Sequence, residues 1–231
     1  MSAGTMREAV VHTVTTTDGT ALHVREQGPV GAPVTVVLAH GWTLDHETWD
    51  DVALGLITGP SAARVIRYDH RGHGRSERGP RGSGTIEQLA KDLAEVVAQR
   101  APDGPLILGG HSMGGMTIMA LAEQAPQIFR DRVVGLGFVA TSTGNLLSPL
   151  RRLPGFWRIA SFVLMLMPFL ARFQPRFLAR IGVRAGLFGK SPRVYDIDRA
   201  VDQLERADVA ARSEFGWSLL HHEREDRKSV V

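Results

Sequence analysis

A serine becomes a useful nucleophile at neutral pH when the chain exposes its hydroxyl and aims hydrogen-bond donors at the oxyanion that forms. The stretch Gly110, His111, Ser112, Met113, Gly114 and Gly115 has the residue types for the first requirement. Glycines two before and two after Ser112 make a G-x-S-x-G pattern. In such a pattern a strand can turn sharply into a helix, hold the serine in strained geometry with its oxygen exposed, and let the two elements pass closely. Glycine is 25 of 231 residues, so the pattern arises readily by chance and also reads as a plain glycine-rich turn. Its flanks decide the matter. Leu106 to Leu108 form an apolar run of buried-strand length, and Met113, Met116, Ile118, Met119 and Leu121 continue to Pro126 as a helix buried on most sides.

Acyl transfer also needs two backbone N–H groups at the developing oxyanion. The residue after the nucleophile, Met113, offers one. The second comes from a loop after an earlier strand. The apolar run Val34 to Ala39, closed by His40, Gly41 and Trp42, stands where that loop belongs, with Trp42 supplying the N–H. Between these stretches lie Arg67, Asp69, Arg71, Gly72, Gly74 and Ser76, a strand end and a glycine-punctuated turn. Gly72 and Gly74 suggest a phosphate cradle, but no third glycine and no lysine follow at nucleotide-binding spacing.

Together the three stretches resemble the α/β-hydrolase superfamily, and within it the serine esterase/lipase-like branch, over about residues 7 to 220. The resemblance implies an α/β fold with a mostly parallel, doubly wound sheet and a helical cap. It implies a serine hydrolase acting through an acyl-enzyme on Ser112, with an oxyanion hole from Trp42 and Met113. His40, Gly41, Gly110, His111, Gly114 and Gly115 support that motif. A serine at this place, where the epoxide-hydrolase and haloalkane-dehalogenase branches use aspartate, points to carboxylic esters, either lipids or small esters. Asp69 belongs to a structural loop in this family. No cofactor and no metal are expected.

The elements that must position these residues follow in order. Residues 8 to 26 read as a hairpin around Asp18 and Gly19, with His12 and His23 as ordinary strand residues. A helix is expected from about His46 to Ile57, capped by Asp45, with Trp49, Val52, Ala53 and Leu56 inward and Asp50 and Asp51 solvated. Another runs from Thr85 to about Arg100, with Ile86, Leu89, Ala90, Leu93, Val96 and Val97 on one face and Thr85 and Gln88 as a capping box. A further buried strand covers residues 132 to 140. Strands alternating with helices predict a parallel sheet whose catalytic groups gather beyond the strands' carboxyl ends.

The expected division is a core at 1–144, a helical cap at 145–222 and a polar tail at 223–231. The cap holds a dense apolar run, Ile159 to Leu170, too short to span a membrane and broken by Pro168. Residues 151–199 carry ten Lys and Arg against two acids. Arg176, Arg180 and Arg184 recur down one helical face opposite Phe177, Leu178 and Ile181. Such a cap either shields its own core beneath solvated arginines, or rests through its basic residues on an anionic membrane surface or admits acyl chains. Nucleic acid is not expected, since no recognised module accompanies the charge. Zero cysteines and a start without an apolar leader-like run fit a cytoplasmic protein, with membrane association as an option. Oligomeric state is open.

The family places its acid and then its histidine after the nucleophile, on loops following two further strands. Here only residues 223–231 follow the last cap helix, expected at Asp196 to His222, so the triad acid and histidine are read as missing from this chain. His221 and His222, the histidines after Ser112, are expected at that helix's surface. Three readings remain: an esterase with impaired activity and a missing carboxyl-terminal part, a non-catalytic binder of acyl or aromatic ligands, or a fragment completed by another chain. Missing strands would leave an apolar sheet edge exposed.

Overall fold

The computed structural model describes residues 9–29, 31–60, 62–144, 153–171 and 175–224. β1 (Val10–Thr15) and β2 (Ala21–Gln27) form the hairpin, with Thr15 opposite Ala21. The turn closes on Asp18, whose Oδ1 accepts from the Thr16 and Thr20 hydroxyls, while Gly19 takes φ 86°. β3 (Thr35–Ala39), β4 (Arg64–Tyr68), β5 (Leu106–His111) and β6 (Val133–Val139) follow, separated by helices. The six strands lie in the order β1-β2-β4-β3-β5-β6, with β4, β3, β5 and β6 mutually parallel. The chain leaves β3 toward β4 and returns on the other side as β5. The reversal opens a crevice beyond the carboxyl ends of β3 and β5, where ligands bind in such sheets.

Alternation along β3 sends its side chains into two separate apolar layers. Val36 and Leu38 meet Trp49, Ala53 and Ile57, from a short 3₁₀ turn (His46–Trp49) and α1 (Asp50–Thr58). Val37 and Ala39 meet the larger layer formed by α2 (Ile86–Arg100) and α3 (Met113–Gln124). Asp45 caps the 3₁₀ turn and Thr85 caps α2, each accepting a backbone N–H as expected. The reciprocal half of the α2 box is not formed, because the Gln88 side chain donates to Asp92 instead. That aspartate is buried and paired with the buried guanidinium of Arg71 at 2.6 Å, tying the glycine-rich turn to α2.

Several expectations are corrected. Val52 is exposed, because inward positions of α1 fall four apart at Trp49, Ala53 and Ile57. Asp50 accepts from Arg67, and Asp51 faces Arg193 at 3.1 Å, so neither is simply solvated. α4 (Pro126–Asp131) starts at the proline that was read only as a terminator, since proline suits a helix's first position. β6 is not buried: Val134, Leu136, Phe138 and Val139 are exposed, as β6 ends the sheet. α5 (Phe156–Ala171) passes through position 168 rather than breaking there. The helix expected from Asp196 to His222 is two, α7 (Val194–Arg206) and α8 (Val209–Leu220), divided at Asp208, whose side chain accepts from the Ala211 N–H.

α6 (Arg176–Leu187) packs on α7 through Ala179 and Val183 against Ile197, Ala200 and Val201, and the pair rests on Leu44 in the loop after β3. Phe177, Leu178 and Ile181 therefore do not form its inner face and are exposed. Arg176 pairs with Asp202 and Glu205, and Arg180 with Asp198 at 2.8 Å, so these cations meet acids of α7. α8 seats Ala211 and Phe215 in the larger core layer. Among the described residues no helix is long and apolar enough to cross a membrane.

Candidate active site

Ser112 lies between β5 and α3 with φ 51° and ψ −115°, a backbone region that side-chain-bearing residues rarely adopt. The bend is fixed on both sides. The Ser112 N–H donates to the Val139 carbonyl at 2.9 Å, and the Thr141 hydroxyl donates to the Ser112 carbonyl at 2.7 Å. Glycine is required at the crossing: a Cβ on Gly114 would stand 2.2 Å from the Ala39 oxygen and 2.8 Å from the His40 oxygen. One on Gly110 would stand 2.5 Å from the Gly115 nitrogen. Gly114→Ala is therefore expected to lower stability by roughly 1–3 kcal/mol, the usual cost of overpacking, because the obstructing atoms are strand backbone. Gly55→Ala in α1, where nothing lies within 4 Å of the added carbon, should instead gain about 1 kcal/mol in the same urea titration. Equal effects at the two sites would refute the close crossing.

Ser112 opens on a cleft of about 1020 Å³. Its walls include Trp42, Thr43 and Leu44 after β3, His111 and Ser112 after β5, Ala140 to Ser142 after β6, and one side of α6 and α8. Thr43, Ser112 and Ala140 are the non-glycine residues with positive φ among the described residues, at 63°, 51° and 46°. All three line this one cleft. Backbone strain confined to the ends of three adjacent strands at one cavity is the pattern of a functional site.

The Trp42 and Met113 N–H groups donate to no protein acceptor among the described residues. Trp42 is held by its indole N–H, which donates to the Arg212 carbonyl at 3.2 Å. Gly41 leaves room for His111: a Cβ there would stand 2.7 Å from His111 Nδ1. That nitrogen has no hydrogen-bond partner, and burial holds the His111 pKa below the usual histidine value. No side chain among the described residues hydrogen bonds to the Ser112 hydroxyl, and no carboxylate is among the cleft's described lining.

His40 is not among the described residues lining the cleft. It is fully buried, donates from Nδ1 to the Gly41 carbonyl at 2.8 Å and accepts the His70 N–H on Nε2 at 2.9 Å. Its ring centroid lies 4.4 Å from that of His70 and 5.4 Å from that of His73, each pair tilted at 59°. This packed imidazole cluster was not legible in the sequence, where the three histidines belong to two different loops. Asp69, read as structural, is buried and accepts from the His46 N–H, the His46 ring at 2.7 Å and the Arg75 N–H. His23, His46 and Asp69 each place one ligating atom within 4.8 Å of the others, the one such group among the described residues; Asp69 bonds the His46 ring, while His23 Nε2 has no hydrogen-bond partner. His221 is exposed as expected, but His222 is buried, and it lines a separate small cavity with Glu87 and Arg224 rather than the Ser112 cleft.

Residues 36–230 match the family model described as "Alpha/beta hydrolase family". A non-heme chloroperoxidase of Streptomyces lividans is 38% identical over 114 residues, covering 49% of this chain and 39% of that protein. A bifunctional esterase/perhydrolase of Acinetobacter calcoaceticus is 37% identical over 113 residues, again covering 49% and 39%. The matches thus span about two-fifths of these relatives' length. Among solved structures, a thermophilic esterase from Thermogutta terrifontis superposes with a TM-score of 0.71 at 24% identity, covering 94% of this chain and 74% of that one.

Proposed function

The chain belongs to the alpha/beta hydrolase family, and on that premise we propose that it is a serine hydrolase of carboxylic esters in which Ser112 is the nucleophile. The observation that carries this reading is the strained backbone of Ser112 in the lining of a largely apolar cleft. Attack by the Ser112 oxygen on an ester carbonyl forms a tetrahedral oxyanion. The unsatisfied N–H groups of Trp42 and Met113 are the proposed donors to it. Collapse expels the alcohol and leaves an acyl-serine, which water then cleaves. Leu44, Met116, Leu178 and Leu219 offer the acyl chain an apolar bed.

The described lining holds one imidazole, His111, and no carboxylate, so an orienting acid and a base of the usual triad are not supplied from it. Slow turnover is therefore part of the proposal, since an oxyanion hole and binding alone retain a residual rate. The same feature favours a second reading, a binder of acyl or aromatic ligands without hydrolysis. A fluorophosphonate probe separates the two. Stoichiometric labelling at Ser112 supports the hydrolase, whereas an unlabelled protein that still binds short-chain esters supports the binder.

We also propose residues 145–222 as a cap over this cleft that contacts an anionic membrane through its basic residues, with outward apolar side chains beside them. Phe162, Met165, Phe169, Phe177 and Ile181 are each more than half exposed on α5 and α6. Flotation with anionic vesicles at low salt should carry the protein upward, and added salt should release it. Protein left at the bottom of the gradient in every lipid would remove the membrane proposal.

A further inference from the structure

A guanidinium taken out of water without a partner is costly, and folds retain one where something else supplies the countercharge. Arg212 on α8 comes close to that position: its Nε is buried without a partner, while its terminal nitrogens keep some contact with solvent. It is 7% exposed, and its Nε has no acceptor. None of its side-chain nitrogens makes an ion pair or hydrogen bond among the described residues. Asp208 acts on it only through space: its Oδ1 accepts the Ala211 N–H at 2.8 Å and faces Arg78 Nε at 3.6 Å. Burial lowers the Arg212 pKa, but a guanidinium starts so high that it stays charged at neutral pH.

Arg212 is also among the residues lining the Ser112 cleft, two helical turns before Leu219 on the same face of α8. Its carbonyl holds the Trp42 indole, so the arginine and the proposed oxyanion loop are braced together. Among the described residues lining the cleft, Arg212 is the one with a permanent charge, and all other walls are apolar or neutral. A lone cation at the edge of an apolar bed selects a ligand with one negative charge and a greasy body. A planar carboxylate matches the guanidinium's paired N–H groups, and a doubly charged phosphate would find no second cation.

We propose that Arg212 is the docking point for a carboxylate on the cleft's ligand, so that the preferred substrates are esters that also carry a free carboxylate. This rests on reading the cleft as the substrate site and names the substrate class.

The test is calorimetric titration of the full chain carrying Ser112→Ala, so that binding is read without turnover. One arm compares monomethyl adipate with dimethyl adipate, which puts the carboxylate on the acyl side. The other compares 6-acetoxyhexanoate with its methyl ester, which puts it on the alcohol side. At least a tenfold preference for the charged member is expected in one arm, and that arm identifies the side. Arg212→Gln should erase the preference, and Arg212→Lys should keep part of it. Ligand-free Arg212→Met should unfold at a higher temperature than the parent, since it replaces an uncompensated cation with an apolar chain of similar length. Equal binding of charged and neutral esters in both arms, a preference that survives Arg212→Gln, or a lower midpoint for Arg212→Met would each overturn the proposal. Fluorophosphonate labelling of the unmutated protein reads the role of Ser112 separately, so the two failures cannot be confused.

Discussion

Ser112→Gly is expected to abolish covalent labelling by a fluorophosphonate and to stabilise the protein by about 1 kcal/mol in the same step. The first effect follows from removing the only atom that the proposal gives to bond formation. Labelling should fall by at least about a thousandfold, as when an essential serine is lost. The second follows from the backbone. A side chain at φ 51° and ψ −115° costs on the order of 1–3 kcal/mol, which glycine relieves. The greater freedom of glycine in the unfolded chain offsets roughly 0.5–1 kcal/mol of that. For a chain of this size the net gain is a rise of roughly 2–4 °C in Tm. Ser112→Ala is the control: it should lose the label equally and leave Tm unchanged, because its Cβ keeps the strain. Persistent labelling of either variant would remove Ser112 from the chemistry. A glycine variant less stable than the alanine variant would show that the strain is not there.

The second large effect is loss of stability in mild acid. Burial, together with the neighbouring histidines, holds His40 down at about 3, and burial holds His73 at about 4, against 6.5 for a free imidazole. His70, buried beside His40, is lowered well below the ordinary value for the same first reason. His40 has a further obstacle, since its Nε2 already accepts the His70 N–H and cannot take a proton without losing that bond. Between pH 6.5 and about 4 the unfolded chain therefore binds protons that the folded chain refuses. Stability rises with pH through that interval and falls as the solution is acidified. At pH 5, His40 and His73 contribute a loss of about 2 kcal/mol each relative to neutral pH. Together that is a large part of the 5–15 kcal/mol that holds an ordinary domain folded. Urea titrations at pH 7.5, 6.0 and 5.0 should show the midpoint falling steeply over the last step. His73→Gln keeps a donor for the Arg71 carbonyl, which His73 Nδ1 meets at 3.0 Å, and should flatten the slope by about a third to a half. A midpoint that does not move between pH 7.5 and 5.0 would refute the buried neutral cluster.

Much of this molecule is written in local order. Binary patterning marked β3, β5, α2 and α3, since each buries a run or a stripe whose period is visible in the chain. Cap residues Asp45 and Thr85 act on their own neighbours, so they too were legible. The turn at Ser112 was readable because a sharp crossing leaves no room for side chains, and glycine is the chemical record of that lack of room at 110 and 114.

Other features depend on which elements become neighbours, and nothing local encodes that. The exposure of Val134 and Phe138 on β6 is set by the strand's place at the end of the sheet and not by its apolar sequence. Likewise Phe177 and Ile181 face outward because α7 meets the other side of α6, at Ala179 and Val183. Only tertiary folding gathers His40, His70 and His73 from two loops into one packed cluster, and brings Arg212 from 170 residues beyond Trp42 into the cleft beside it. What the sequence determined by itself was the strained turn, through a serine whose flanking glycines let strand and helix cross closely. What only the tertiary structure decided was the company that serine keeps, because the polarity and charge of a cavity come from segments that touch only after the chain has closed around it.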